Sequence, residues 1–232
     1  MAGYRKKIIL IIIFLFIVVN VGYSQNSQSY FYENEFDFTL PLKGKWSMDF
    51  GLGNRGMFQE RISGKIISDY QHEHVELENF VNYQARGTLI LSLGMRYRFK
   101  ELFNSSERDE FRIIEQLEFE VLNLPLSHRV RLEHRFMENL AHRLRYDIEY
   151  TVRMNQNFSL GLGTESLYAI ASRLRPEAEQ RFSIGLETSY FHNLELGLSL
   201  EYRMENYTRD LAHEFFIISG LTLNLEKHPE SE

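Results

Sequence analysis

The segment LILSLGMRYRF, residues 89–99, decides the fold of this chain. Every second residue from Leu89 to Phe99 is large and apolar, while most residues between them are small, polar or charged. A period of two residues is typical of a β-strand with one apolar and one polar face. The segment also has about the length that a tilted strand needs to cross a bilayer, roughly ten residues.

The same alternation recurs in ten other segments, which makes eleven predicted strands. Their apolar positions run from Phe36 to Leu40, Trp46 to Leu52, Val75 to Tyr83, Ile113 to Val121, Val130 to Phe136, Leu144 to Val152, Phe158 to Leu162, Phe182 to Tyr190, Leu194 to Met204 and Phe215 to Leu225. A barrel with both termini on one side needs an even number of strands. We therefore predict an all-β fold, an antiparallel transmembrane β-barrel of about 12 strands, with ten as the alternative. The twelfth strand would lie within residues 57–69 or before Glu33.

The alternate positions of the strands distinguish a membrane barrel from a soluble β-sandwich. They carry arginines, glutamates and glycines, among them Arg96, Arg98, Gly163 and Gly197. Apolar residues facing outward and polar residues facing inward, with aromatic residues near the strand ends, are the signature of an outer-membrane barrel. The sequence therefore predicts a polar lumen filled with paired charges, and a soluble β-protein is the alternative.

The N-terminus has the three parts of a secretory signal peptide. Three basic residues precede the apolar stretch 8–19, and the small residues Gly22 and Ser24 stand before a cut at Gln25. We predict a cleaved signal peptide over 1–24, a barrel over 25–225 in the bacterial outer membrane, and a polar tail over 226–232. An uncleaved membrane anchor is the alternative for 1–24. The expected partners are membrane lipid and, during insertion, the barrel-assembly machinery.

Composition excludes several classes of protein. The chain has no Cys, so disulfides, thiolate metal sites and a lipoprotein anchor are ruled out. Removing 1–24 takes away three of the 26 basic residues and none of the 32 acidic ones, which leaves 23 − 32 = −9. A nucleic-acid partner is therefore not expected.

Two neighbouring hairpins predict a ladder of opposite charges on the inner face. Pairing Phe119 with Val130, and Phe136 with His142, places acids opposite arginines. A shift of two residues in the second pair would set like charges directly opposite, which is destabilising. The predicted lumen network consists of Glu118–Arg131–Asp147, Glu120–Arg129–Glu149 and Glu133 opposite Arg145. It either fills the lumen or forms a charged constriction that selects a solute.

Two polar residues interrupt the apolar outer face. Glu115 and His134 fall on this face, and the same register places them directly opposite each other. They form either an interfacial pair near a strand end or part of a contact face between barrels in a homo-oligomer.

Histidines are the residues of this chain that could serve as metal ligands or catalytic groups. His72, His74 and Glu76 are expected to share one strand face and are weak candidates for metal ligands. One strand rarely supplies a whole site, so no metal or other cofactor is predicted. Ser127 and His128 are adjacent on a strand and point to opposite faces, so they do not form a pair for acyl transfer. No catalytic residues are predicted.

The run LSHRVRLEHRF at 126–136, followed by HRLRY at 142–146, resembles an uncharacterised bacterial family that is common in Bacteroidota. The segments GKWSM at 44–48 and NLELG at 193–197 resemble its hairpins. This family carries a domain-of-unknown-function label and is regarded as an outer-membrane barrel. The resemblance implies the fold and the location, and it supplies no catalytic residues. The long segment 53–72 departs from the family pattern.

These observations favour a barrel without catalysis: a narrow or plugged channel, or a structural barrel. An outer-membrane lipid-modifying enzyme and a barrel that binds a surface ligand through its long loops are the alternatives. The sequence names neither a ligand nor an oligomeric state.

Overall fold

The structure, a computed structural model, describes residues 27–100, 108–172, 175–191 and 193–225. The predicted signal peptide and the polar tail lie outside the described residues. No helix in the described part is long and apolar enough to cross a membrane. The described strands are β1 (Ser27–Pro41), β2 (Trp46–Ile62), β3 (Lys65–Ser68), β4 (Gln71–Arg86), β5 (Leu89–Phe99), β6 (Glu110–Glu120), β7 (Leu126–Phe136), β8 (Ala141–Arg153), β9 (Phe158–Ala171), β10 (Glu177–Phe191), β11 (Leu194–Glu205) and β12 (Ala212–Asn224).

Eleven of the described strands close into a barrel, and they correspond to the eleven alternating segments of the sequence. From β4 to β12 each strand pairs antiparallel with the next, and β2 pairs antiparallel with both β1 and β4. β1 closes the ring by pairing in parallel with β12, so that Gln28 faces His213 and Thr39 faces Asn224. Around a closed ring with an odd number of strands, the strand directions cannot alternate throughout. At least one pair of neighbouring strands must therefore be parallel.

The prediction of an all-β barrel with about 12 strands is confirmed, and two details of it are corrected. The twelfth strand, β3, lies within residues 57–69, but it pairs only with the end of β2 and does not enter the wall. The barrel is also not wholly antiparallel. Both errors follow from the assumption that the two termini lie on the same side, whereas Ser27 and Asn224 lie at opposite ends of the barrel.

The two ends of the barrel differ in their connections. One end, called the turn end, carries the short connections that follow β1, β4, β6, β8 and β10. The other, called the loop end, carries the connections that follow β2, β3, β5, β7, β9 and β11. At the turn end Gly87 adopts a φ of +56°, a region that favours glycine and allows the two-residue turn between β4 and β5.

The outer surface of the wall is apolar and exposed. Leu93, Leu198 and Leu200 are 59%, 57% and 56% exposed. In a soluble protein an apolar surface that encircles the whole molecule would be a liability, since exposed apolar patches usually mark an interface or a membrane. The side chains of the opposite face point into the lumen, where charged groups are buried instead.

Aromatic residues gather near both ends of the outer wall. At the turn end the rings of Trp46 and Tyr83 lie 4.7 Å apart between centroids. At the loop end the rings of Tyr97 and Phe99 also lie 4.7 Å apart. Two aromatic belts around an apolar band are typical of barrels that span a bilayer.

Candidate functional site

The lumen is divided into two halves with different side chains. Because residues alternate along each strand, every second residue points inward. In the half towards the loop end, the inward positions are mostly arginines and carboxylates that pair with each other. In the half towards the turn end, small residues and carboxylates are frequent, and Arg129 and Arg131 also line the lumen there.

Glu133 on β7 lies at the centre of the arginine-rich half and is fully buried. Its Oε2 accepts a hydrogen bond of 2.9 Å from Nε of Arg143, and its Oε1 accepts one of 3.0 Å from Nη1 of Arg145. Nη1 of Arg112 lies 3.4 Å from the Oε2 atom. One carboxylate thus binds three arginines that come from the neighbouring strands β6 and β8.

From Glu133 the ion pairs continue around the wall towards β10. Nε and Nη2 of Arg145 donate to the two carboxylate oxygens of Glu165 on β9 at 2.7 and 2.8 Å. Nη1 of Arg181 on β10 lies 3.4 Å from Glu165, and its Nε donates to Glu179 at 2.6 Å. Bidentate geometry of this kind is among the strongest forms of an ion pair.

In the other direction the ion pairs continue to β4. Nε of Arg112 donates to Oε1 of Glu110 at 2.7 Å, and Arg135 also binds Glu110. Nη1 of Arg98 lies 3.9 Å from Glu110, and its Nη2 donates to Glu76 at 2.8 Å. The series from Glu76 to Glu179 therefore links the seven neighbouring strands β4 to β10. We call it the arginine layer.

A second cluster lies on the opposite wall and completes the layer. Nη2 of Arg55 donates to Oε2 of Glu33 at 2.8 Å, and Nη2 of Arg203 lies 3.5 Å from the same oxygen. The guanidinium of Arg203 lies 3.5 Å from the ring centroid of Phe216, which stacks on Phe31 at 4.7 Å. Burial strengthens a cation–π contact of this kind.

The arginine layer lies in the lumen near the loop end, and its central residues are buried. Glu133, Glu110 and Arg112 are 0%, 1% and 1% exposed, so water does not reach them. Removing one partner of a buried pair leaves a charge without compensation and costs about 3–5 kcal/mol. The layer therefore holds neighbouring strands of the wall together.

Towards the turn end the lumen contains a cavity of about 500 Å³. Small residues on β9 to β11 create the space, since they leave one wall without long side chains. These residues are Gly161, Gly163, Ser183, Gly185 and Ser199. Four carboxylates also line the cavity and form no ion pair within the described part of the chain. They are Glu35, Asp37, Glu149 and Glu187.

The predicted register of the two central hairpins is wrong by two residues. Phe119 faces His128 rather than Val130. His142 faces His134 rather than Phe136, so that Arg131 lies directly opposite Arg145. The prediction compared only residues directly opposite each other, whereas arginine side chains reach diagonally and across the lumen.

Of the pairs predicted among the eight lumen residues, only that of Glu133 with Arg145 is formed, and these two residues are not directly opposite each other. Arg145 contacts Glu133, but Arg143 is the residue opposite Glu133. Nη2 of Arg129 lies 3.8 Å from Asp147. Three of the predicted acids have no arginine partner among the described residues. Glu118 accepts a hydrogen bond from Gln116 at 3.2 Å, Glu120 is exposed at the turn end, and Glu149 lines the cavity.

The last two of the eight predicted lumen residues are Arg131 and Glu149, and both line the cavity. Nε of Arg131 donates to Oε1 of Gln116 at 2.8 Å. Glu149 lies opposite Ser127 and beside Gly161. The predicted three-strand ladders Glu118–Arg131–Asp147 and Glu120–Arg129–Glu149 are therefore not formed.

The outer polar pair is close in space but not directly opposite. Glu115 faces Leu132 and His134 faces Ile113, and Nε2 of His134 lies 3.8 Å from Oε1 of Glu115 on the diagonal. His134 also shares a hydrogen bond of 2.8 Å with His142 on β8.

The prediction that His72, His74 and Glu76 share one strand face is wrong. A β-bulge opposite Arg55 and Gly56 separates His72 from His74. His72 hydrogen-bonds to Asn54 on the outer face, whereas His74 and Glu76 are buried in the lumen. No group of three or more potential ligands lies close enough to hold a metal within the residues that the structure describes.

Sequence reasoning missed several residues of the arginine layer. Glu110 and Arg112 precede the first apolar residue, Ile113, that marked their strand in the sequence. Arg203 and Glu33 come together only through the parallel pair of β1 and β12, which no local pattern predicts. The alternation of inward and outward side chains along each strand was the one signal that could have identified these residues.

Comparison with known proteins supports the fold. One similar solved structure is that of the NanC porin in a rhombohedral crystal form, with a TM-score of 0.51 and 12% sequence identity. The match covers 80% of this chain and 92% of the porin chain. No curated protein matches the chain. The family described as "Protein of unknown function (DUF2490)" matches residues 25–213, and the chain therefore belongs to this family.

Proposed function

We propose that the protein is a barrel of the bacterial outer membrane, exported by a signal peptide over residues 1–24 that is then cleaved. The apolar outer wall and its two aromatic belts support this location, since a bilayer is the solvent that such a surface fits. In bacterial barrels the short turns face the periplasm and the longer loops face outward. The turn end would then be periplasmic, and the loop end would face the cell exterior.

Within the membrane, we propose that the barrel is a narrow channel that is closed at rest. The observation that carries this proposal is the arginine layer around Glu133, which crosses the lumen near the loop end with fully buried charges. The cavity beneath it is lined by charged and small residues, as expected for a path for polar solutes. Passage through the barrel requires the layer to rearrange.

The position of Glu133 makes it the residue on which closure depends. Three arginines converge on its carboxylate, so replacing it with the neutral amide of Gln leaves their positive charges to repel one another. The side chain keeps its size, so the wall itself is not altered. The layer should therefore loosen without a loss of the barrel.

Conductance across planar lipid bilayers tests the proposal. Wild-type protein should show small and rare current steps, and Glu133→Gln should conduct more often or with larger steps. Glu195→Gln, near the turn end and outside the arginine layer, serves as the matched control and should behave as wild type. Resistance of each barrel to unfolding in detergent without heating shows that the variants are folded.

Two outcomes would contradict this function. Large and steady wild-type conductance would mean that the arginine layer does not close the lumen. An absence of current in wild type and in a folded Glu133→Gln barrel would point instead to a structural barrel without conduction.

A further inference from the structure

Arg131 differs from the other arginines that face the lumen. In the described part of the chain, each of the others lies within 4.0 Å of a carboxylate oxygen: Arg55, Arg96, Arg98, Arg112, Arg129, Arg135, Arg143, Arg145, Arg181 and Arg203. Arg131 forms no ion pair there. Its charge therefore has no direct counter-ion among the described residues.

The few contacts of Arg131 leave most of its donors free. Nε donates to the neutral Gln116 at 2.8 Å, and the guanidinium lies 5.5 Å from the ring centroid of Phe80. The residue is only 8% exposed. A buried cation without a carboxylate partner is unfavourable, so such a residue is normally paired or binds a ligand.

Arg131 lines the cavity of about 500 Å³ beneath the arginine layer. A volume of this size is within the usual range of small-molecule sites, roughly 300–1,000 Å³. The small residues Gly163, Ser183 and Gly185 line the same cavity and leave room for a solute. The guanidinium presents a planar set of donors that matches a carboxylate.

The same cavity also offers negative charge for the other end of a solute. Glu35, Asp37, Glu149 and Glu187 line it and have no arginine or lysine partner among the described residues. One of them, Glu187, accepts a hydrogen bond from Ser159 at 3.2 Å. An anion alone would be repelled by these carboxylates, and a cation alone would leave Arg131 without a counter-ion.

We infer that this cavity is a binding site for a small zwitterion, such as an amino acid or a short peptide. The carboxylate of the solute binds Arg131, and its ammonium group lies among the four carboxylates. The inference deepens the proposed channel function by naming a class of solute, and it rests on that function only for how the solute enters.

Titration calorimetry on the mature barrel folded in detergent tests the site, with diglycine, acetate and ethylammonium as separate probes. Diglycine should bind saturably, and the two probes with a single charge should bind at least about tenfold more weakly, since each leaves one subsite without a partner. Arg131→Gln should weaken diglycine binding at least about tenfold, and Arg131→Lys should restore part of it. Arg86→Gln, an exposed change at the turn end, is the control and should bind as wild type.

Several results would overturn the inference. The first is no binding of diglycine, and the second is unchanged diglycine binding by a folded Arg131→Gln barrel. The third is binding of acetate or ethylammonium as tight as that of diglycine, which would indicate a site for one sign of charge only. This measurement needs no membrane or current. Its failure is therefore distinguishable from a failure of the closed-channel proposal, which conductance alone decides.

Discussion

Arg131 and Arg145 lie directly opposite each other across β7 and β8, although they carry the same charge. Arg145 compensates by binding two carboxylates, Glu133 on β7 and Glu165 on β9. Among the residues that the structure describes, Arg131 has only the neutral Gln116 as a hydrogen-bond acceptor. Two arginines in equivalent positions of neighbouring strands thus have different roles, and this difference is open to measurement.

Arg145→Gln should destabilise the barrel far more than Arg131→Gln. The first change leaves the buried carboxylates of Glu133 and Glu165 with fewer partners and should lower the free energy of unfolding by about 3–5 kcal/mol. The second removes a buried charge without a carboxylate partner and should change it by less than about 1 kcal/mol. Urea unfolding in lipid vesicles, followed by the fluorescence of Trp46, the single tryptophan, measures both. Equal losses would contradict the assigned partners.

Glu115→Leu should stabilise the protein in a membrane. Glu115 lies in the middle of β6 on the outer face, is paired with Leu93 and Leu132, and has a side chain that is 61% exposed. A carboxylate facing lipid is unfavourable, so we expect a gain of about 1 kcal/mol in the free energy of unfolding. Leu93→Glu, at the directly paired position, is the control and should lower it. A loss on Glu115→Leu would show that this face does not meet lipid.

The same face carries the proposal of a homo-oligomer. If Glu115 and His134 form a contact between barrels, replacing both by Leu should dissociate the oligomer. Chemical crosslinking in membranes would reveal the change. An oligomer that survives the double replacement would rule out this contact.

The parallel pair of β1 and β12 predicts that Ser27 and Leu225 lie on opposite sides of the membrane. Because the chain has no Cys, Ser27→Cys and Leu225→Cys each introduce one thiol. A membrane-impermeant maleimide should label Ser27→Cys on intact cells, since Ser27 lies at the loop end, and should label Leu225→Cys only after lysis. Labelling of both thiols only after lysis would contradict the eleven-strand ring.

Gly94→Ala should destabilise the barrel, whereas Gly220→Ala should not. A Cβ at Gly94 would clash with ring atoms of Phe80, which covers this glycine from the neighbouring strand. Overpacking of this kind costs about 1–3 kcal/mol. A Cβ at Gly220 meets nothing within 4 Å, so this variant is the matched control. Similar unfolding curves for both variants would contradict the position of the Phe80 ring.

The wall of the barrel was predictable because its pattern is local. Strict alternation of apolar and polar residues marked all eleven strands of the wall. The same alternation predicted which charged residues of each strand face inward. Glu133 and Arg145, for example, could be placed in the lumen and predicted to interact from their positions alone. A bilayer outside and a narrow lumen inside impose this alternation on every strand.

Register and closure were not predictable, because they depend on interactions distant in sequence. The rule against like charges directly opposite selected the wrong register, since Arg145 finds Glu165 on a third strand. The bulge that turns His72 outward leaves no sign in the pattern of residues 72–78. The parallel contact of Gln28 with His213 joins the two ends of the chain, and only closure of the whole ring determines it.

Gel migration tests most directly the central claim that the charged lumen belongs to a barrel folded in a membrane. Unboiled and boiled samples of outer-membrane fractions are run side by side on a denaturing gel. The account predicts that the protein sediments with the outer membrane and that its unboiled band migrates differently from the boiled one, because a closed barrel resists detergent until it is heated. A soluble protein with identical migration in both lanes would contradict the account, and the exposed leucines of the wall would then require another explanation.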